Sequence, residues 1–121
     1  MAEKLALLLD DNLMSAARVQ SQLAKIGYRV QTARRIDVNL APQLVIVNLG
    51  SRALNGLDLI APCLELFPAA RVLGFCGHAE IEIRQRAKQA GLRRILTNDE
   101  ALMDLANALG ESFEDAVQVA P

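Results

Sequence analysis

Two adjacent carboxylates, Asp10 and Asp11, directly follow a short apolar run at residues 5–9. Side by side, such acids can hold a hard cation through oxygen, or can simply favour the positive end of a helix that begins after them. Asn48 closes a second apolar run, at residues 44–47. Its amide can donate and accept hydrogen bonds but is a poor nucleophile. Cys76 closes a third run, and His78 follows two residues later, a spacing that can place thiol and imidazole on one side of an extended segment. A reactive thiol pair also needs a group to orient the imidazole, and none is supplied, so a small buried Cys76 and a loop His78 are the plainer reading. Thr97 and Asn98 follow the last run.

Short, continuously apolar runs of this kind read as parallel strands buried on both faces. Residues 5–9 make the first, and Asp11 or Asn12 can cap the helix that comes next. In that helix Ala16, Val19, Leu23 and Ile26 recur at helical spacing, and Gly27 stops it. Residues 28–32, 43–49, 71–76 and 92–97 read as four further strands. Helices are expected over 57–67, with Pro62 inside, over 79–90, and over 99–109 with Leu102, Leu105, Ala106 and Leu109 on the inner face. Residues 34–41 leave room for about two helical turns at most. The alternation is (βα)5. It predicts an α/β, flavodoxin-like three-layer sandwich with a parallel sheet in the order 2-1-3-4-5 and the second helix shortened or missing. Ligands of such sheets bind beyond the carboxyl ends of the strands at the switch in strand order, here between the first and third strands. That gathers Asp10, Asp11, Asn48, Cys76 and Asn98.

The chain has 121 residues, 52% of them apolar and 22% charged, enough for one compact domain over residues 1–110. Residues 111–121 form an acidic tail with no firm structure assigned. The formal net charge of −1 leaves no basic excess for nucleic acid as the main partner. No apolar run approaches the roughly 18 residues of a membrane span, and residues 5–9 are too short for a signal-peptide core, so a cytoplasmic protein is expected. Two cysteines, Cys63 and Cys76, do not make a disulfide framework.

Taken together, residues 3–110 resemble the receiver domain of two-component response regulators. The resemblance rests on Leu8-Leu9-Asp10-Asp11-Asn12, on the strand from Pro42 through Asn48 to Leu49, and on Asn55-Gly56, the glycine standing eight residues past Asn48. It continues through Cys76-Gly77-His78-Ala79 and residues 91–98, with Cys76 and Asn98 separated by 22 residues. The resemblance implies an aspartate as phosphoryl acceptor, and Asn48 stands there instead. It implies a threonine at Cys76, a lysine at Asn98, a proline at Asp99 and an aromatic at Ile95. Replacing the acceptor acid also removes an anionic ligand from a Mg²⁺ site, leaving Asp10 and Asp11 as weak metal candidates. Two carboxylates about 4 Å apart repel by roughly 4 kcal/mol at an effective dielectric near 20, so the pocket is expected to be held by neutral hydrogen bonds, Asn48 donating to a carboxylate.

Only 37 residues separate Asp11 from Asn48, fewer than receivers usually have, and the shortage falls between Thr32 and Pro42. An apolar patch near the second and third strands is therefore expected, partly covered by Ile36, Val38 and Leu40. The resemblance further implies a partner or dimerisation face on the helix at 79–90, the fifth strand and the last helix. Its residues are Arg84, Arg86, Lys88, Arg93, Arg94, Ile95, Asp99 and Asp104, with Arg84, Arg86 and Lys88 facing Asp99, Glu100 and Asp104. A solvated surface is the plain alternative. The expected function is a non-enzymatic, cofactor-free pseudo-receiver that binds a protein partner, or a second copy of itself, in two-component-type signalling. The alternatives are a thiol redox sensor at Cys76 and a small-ligand sensor at the strand ends, though no glycine-rich phosphate loop follows the first strand.

Overall fold

The computed structural model describes residues 4–51 and 53–110, so the acidic tail expected at 111–121 lies outside the described residues. The order of elements is β1 (Lys4–Leu9), α1 (Leu13–Lys25), β2 (Tyr28–Ala33), β3 (Leu44–Asn48), α2 (Leu57–Leu66), β4 (Arg71–Cys76), α3 (Ile81–Gln89), β5 (Ile95–Thr97), α4 (Asn98–Met103) and α5 (Leu105–Leu109). All strand pairs are parallel and the sheet order is β2-β1-β3-β4-β5. This is the flavodoxin-like order read from the alternation of elements.

Strand alternation divides the core into two layers. Ala6, Leu8, Leu44, Ile46, Leu73, Phe75 and Leu96 face α1, α4 and α5. Leu7, Leu9, Val45, Val47, Val72 and Cys76 face α2 and α3. Leu7, Leu8 and Leu9 have no exposed surface at all. Burying each such side chain stabilises the fold by roughly 1.5–3 kcal/mol, which explains why the run must be apolar at every position and not at alternate ones.

The loops that carry the site begin where these strands end. Asn12 caps α1, its side-chain oxygen accepting from the N–H groups of Met14 (3.0 Å) and Ser15 (3.2 Å). Gly27 ends the segment with φ +95°, a conformation that L side chains adopt at a cost. Pro62 lies within α2, where it removes one intrahelical hydrogen bond.

No helix joins β2 to β3, and residues 34–43 cross as irregular chain, in keeping with the second helix expected to be shortened or missing. Other sequence expectations need correction. Ile36 and Leu40 pack on the α2 side of the core, but Val38 is 65% exposed and covers nothing. The expected apolar patch does not form at the β2 edge, because on that face β2 presents exposed Arg29 and Gln31. Polar side chains there remove the need for a covering helix. The fifth strand is shorter than expected, Ile95–Thr97, and the last helix is interrupted. Asp104 leaves helical geometry (φ −143°, ψ 38°) and separates α4 from α5.

The interruption has an identifiable cause. In a continuous helix the Leu105 N–H would bond the Ala101 carbonyl. Here the Gln22 carboxamide of α1 stands between them. Its Oε1 accepts from Leu105 N at 2.8 Å, and its Nε2 donates to the Ala101 oxygen at 2.9 Å. A side chain inserted into the hydrogen-bond ladder is a recognised origin of such breaks.

Candidate functional site

The carboxyl ends of β1 and β3 lie level, with Leu9 opposite Val47, and β4 ends opposite β5 with Cys76 opposite Thr97. A cleft of about 680 Å³ opens above them. Asp11, Asn48, Glu80 and Asn98 line it together with Ser15, Ser51, Gly50 and Gly77. Among the described residues, its lining includes two carboxylates and no lysine or arginine.

Asp10 lies beneath the cleft floor, 3% exposed. Its Oδ1 accepts from Asn12 N (2.9 Å) and from Asn48 Nδ2 (2.9 Å), and its Oδ2 accepts from Ser15 Oγ (2.6 Å). Hydrogen bonds to an ionised acceptor are the stronger kind, so three donors settle this buried charge. The other end of the Asn48 amide, Oδ1, accepts from Gly50 N at 3.0 Å. Asp11 accepts a hydrogen bond from the Ser51 hydroxyl.

A receiver fold implies a Mg²⁺ site, and this donor set does not fit one. Magnesium needs free hard oxygens in near-octahedral array. Asp10 has both oxygens engaged by protein donors, and Asn48 turns its NH₂ toward Asp10, where a metal ligand would have to present oxygen. Among the described residues no group of three or more His, Cys, Asp or Glu side chains could hold a metal.

Cys76 borders the site without lining it. Its side chain has no exposed surface and belongs to the layer beneath α2 and α3. Burial pushes its thiol up, against a smaller lowering by Arg84, with Glu80 adding to the rise. His78 is exposed in the loop. A thiol held protonated and covered is a poor nucleophile.

The residues expected on the partner face are differently arranged. α3 packs in one layer and α4 in the other, so the basic and acidic helices flank the edge strand β5 and do not face each other. Arg86 pairs with Glu82 of its own helix at 3.3 Å. Arg84 donates to the carbonyls of Ile95 and Leu96, both at 3.4 Å. Glu100 reaches back to Thr97 N in a capping box that starts α4, and Asp104 accepts from Asn107 Nδ2. Lys88, Arg93, Arg94 and Asp99 are exposed, and Ile95 is half-buried.

Ser15, Ser51 and Glu80 were not singled out from the sequence. Only Glu80 had a readable signal: it stands three residues after Gly77, the spacing at which an acid reaches back to a backbone N–H.

The chain superposes on a crystal structure of a response regulator from Burkholderia pseudomallei that carries a phosphorylated aspartic acid, a calcium ion and citrate. The TM-score is 0.71 with 28% identity, covering 98% of this chain and 76% of that one. The chain has the fold of response-regulator receiver domains. A CheY-like receiver domain protein from Methanospirillum hungatei matches with TM-score 0.74 over 98% of this chain and all of that one, at 18% identity. A response regulator from Thermotoga maritima gives TM-score 0.73 at 18% identity, covering 90% of this chain and 96% of that one. Those two likenesses concern the fold alone. In sequence, the chain is 25% identical over 114 residues to the photosynthetic apparatus regulatory protein RegA of Rhodobacter capsulatus. The match takes in 89% of this chain and 62% of that protein's length. No family model matches the chain.

Proposed function

We propose that this receiver domain takes up no phosphoryl group and acts in signal transduction by binding a protein partner. The observation that carries the reading is the Asn48 amide, fixed between Asp10 Oδ1 and Gly50 N at the position where the resemblance places an acceptor aspartate. A neutral amide cannot form an acyl phosphate, and an amide already donating to the buried Asp10 cannot be exchanged for a carboxylate without setting two like charges together. Asn98 offers an amide where a lysine would pair with phosphate. The covered Cys76, its thiol held up by burial, argues against the redox alternative. The partner surface proposed is the edge formed by β5 with α3 and α4, where Lys88, Arg93, Arg94 and Asp99 are exposed around Ile95. The test is to incubate the purified chain with acetyl phosphate and Mg²⁺ and determine its intact mass. The expected result is no added phosphoryl mass. A phosphoryl group mapped to the cleft overturns the proposal.

A further inference from the structure

Glu80 brings a carboxylate into the cleft from the loop between β4 and α3. Its Oε2 accepts from Gly77 N at 2.8 Å. Two glycines leave it room. A Cβ built on Gly50 would lie 3.3 Å from this oxygen, and one built on Gly77 would lie 3.4 Å from it. The same two points lie 3.6 Å from Asn48 Oδ1 and 3.7 Å from Asn98 Nδ2 respectively. This oxygen, bonded to Gly77 N, thus lies in the cleft that Asn48 and Asn98 also line, the same cleft into which a group carried on residue 48 would extend.

We infer that Glu80, one of the two carboxylates lining the cleft, is a tethered anion that takes the Gly77 N–H and keeps a further anion out of the cleft by its charge. The inference rests on the receiver reading above and deepens it: Asn48 removes the acceptor, and Glu80 fills the space the acceptor would serve. Tethering favours the carboxylate over free anions, because its effective concentration beside Gly77 N is set by the chain and not by the solution. The spacing of Gly77 and Glu80 is also that of a simple cap, in which an acid satisfies a backbone N–H at the start of a helix. The two roles differ in the part played by charge. A cap needs only an acceptor at the Gly77 N–H, whereas an internal anion also lowers the affinity of the cleft for a further anion by its charge.

The test uses the full ¹⁵N-labelled chain, as wild type and as Glu80→Ala, titrated with inorganic phosphate at constant ionic strength. The signals read are the Gly77 backbone amide and the Asn98 side-chain amide. Glu80→Ala is expected to move the Gly77 amide upfield. Phosphate is then expected to shift both signals saturably, with affinity at least about tenfold above that of the wild type, as removal of an adjacent like charge requires. A Gly77 signal unmoved by the substitution, or the same phosphate response in both proteins, overturns the inference. Glu80→Gln keeps the length and the Gly77 bond without the charge, and so tests the same point should the alanine variant fail to fold. It is expected to reduce the downfield position of the Gly77 amide, and an unchanged position counts against Glu80. The receiver reading fails separately, through phosphoryl mass on the wild-type chain, which these spectra do not measure.

Discussion

Asn48 does in this cleft what an aspartate cannot: it donates to Asp10 (2.9 Å) while accepting from Gly50 (3.0 Å). Asn48→Asp loses that donor and sets a new carboxylate against a buried one. The loss is expected to cost about 2–4 kcal/mol near neutral pH, combining a broken hydrogen bond with like-charge repulsion. Urea denaturation of the two proteins measures it. The same variant is expected to gain little or no phosphoryl mass from acetyl phosphate, since Asn98 still offers no cation and Glu80 still occupies the space. Robust phosphorylation of the single variant would show that the acceptor alone was missing. Much of this site was legible in the sequence. Asp10, Asp11, Asn48 and Asn98 are read from the ends of apolar runs, and the fold does bring Asp11, Asn48 and Asn98 to one cleft. Their hydrogen-bond partners were not legible. Ser51 meets Asp11 across 40 residues of chain, and nothing in the pattern around a lone serine marks such a meeting.

At the scale of elements, the strands and first helix follow from apolar periodicity because local burial decides them. The last helix does not. Its inner-face residues are read correctly, with Leu105 and Leu109 buried and Leu102 and Ala106 packed against the same core. Its break depends on Gln22, 83 residues before Leu105, and a lone glutamine on α1 reads as surface. Substituting Gln22→Leu leaves Leu105 N and the Ala101 carbonyl without their partner. The expected cost is about 1–3 kcal/mol, the penalty for partly buried polar groups losing hydrogen bonds. If α4 and α5 instead fuse, the Leu105 amide gains a bond to Ala101, and the loss falls well below that range. Denaturant midpoints give the energy, and hydrogen exchange at Leu105 distinguishes the two outcomes, since only a fused helix protects that amide. The missing second helix was legible from chain length alone. The polar outer face of β2 was also present in the sequence as Arg29 and Gln31, but which face these residues occupy is settled only by the parity of the neighbouring Tyr28 and Val30 in the other layer.

The two-layer partition acts on the whole molecule. It separates α3 from α4, so charges that alternate along the sequence do not meet across the sheet, and it places both cysteines in the layer under α2 and α3. That shared burial has a consequence for alkaline stability. Burial pushes the Cys63 thiol from its ordinary 9.0 up to about 11, and moves Cys76 in the same direction. A folded pKa above the unfolded one means that the fold keeps the proton more tightly. Below pH 9 both states hold it and nothing is lost. From pH 9 to 11 the unfolded chain ionises more readily than the folded one, so the unfolded state is favoured progressively, by about 2 kcal/mol for Cys63 at the top of the window. Other groups titrate there too, so the informative quantity is a difference between two proteins. Cys63→Ala is expected to start about 1–2 kcal/mol less stable at pH 7.5, from the small cavity it leaves. Its disadvantage should then shrink, and reverse, as pH rises through the window, because the variant has no Cys63 thiol to deprotonate. Urea midpoints measured from pH 7.5 to 11 decide it. If the two curves run parallel throughout, the Cys63 thiol is not held protonated by the layer that encloses it.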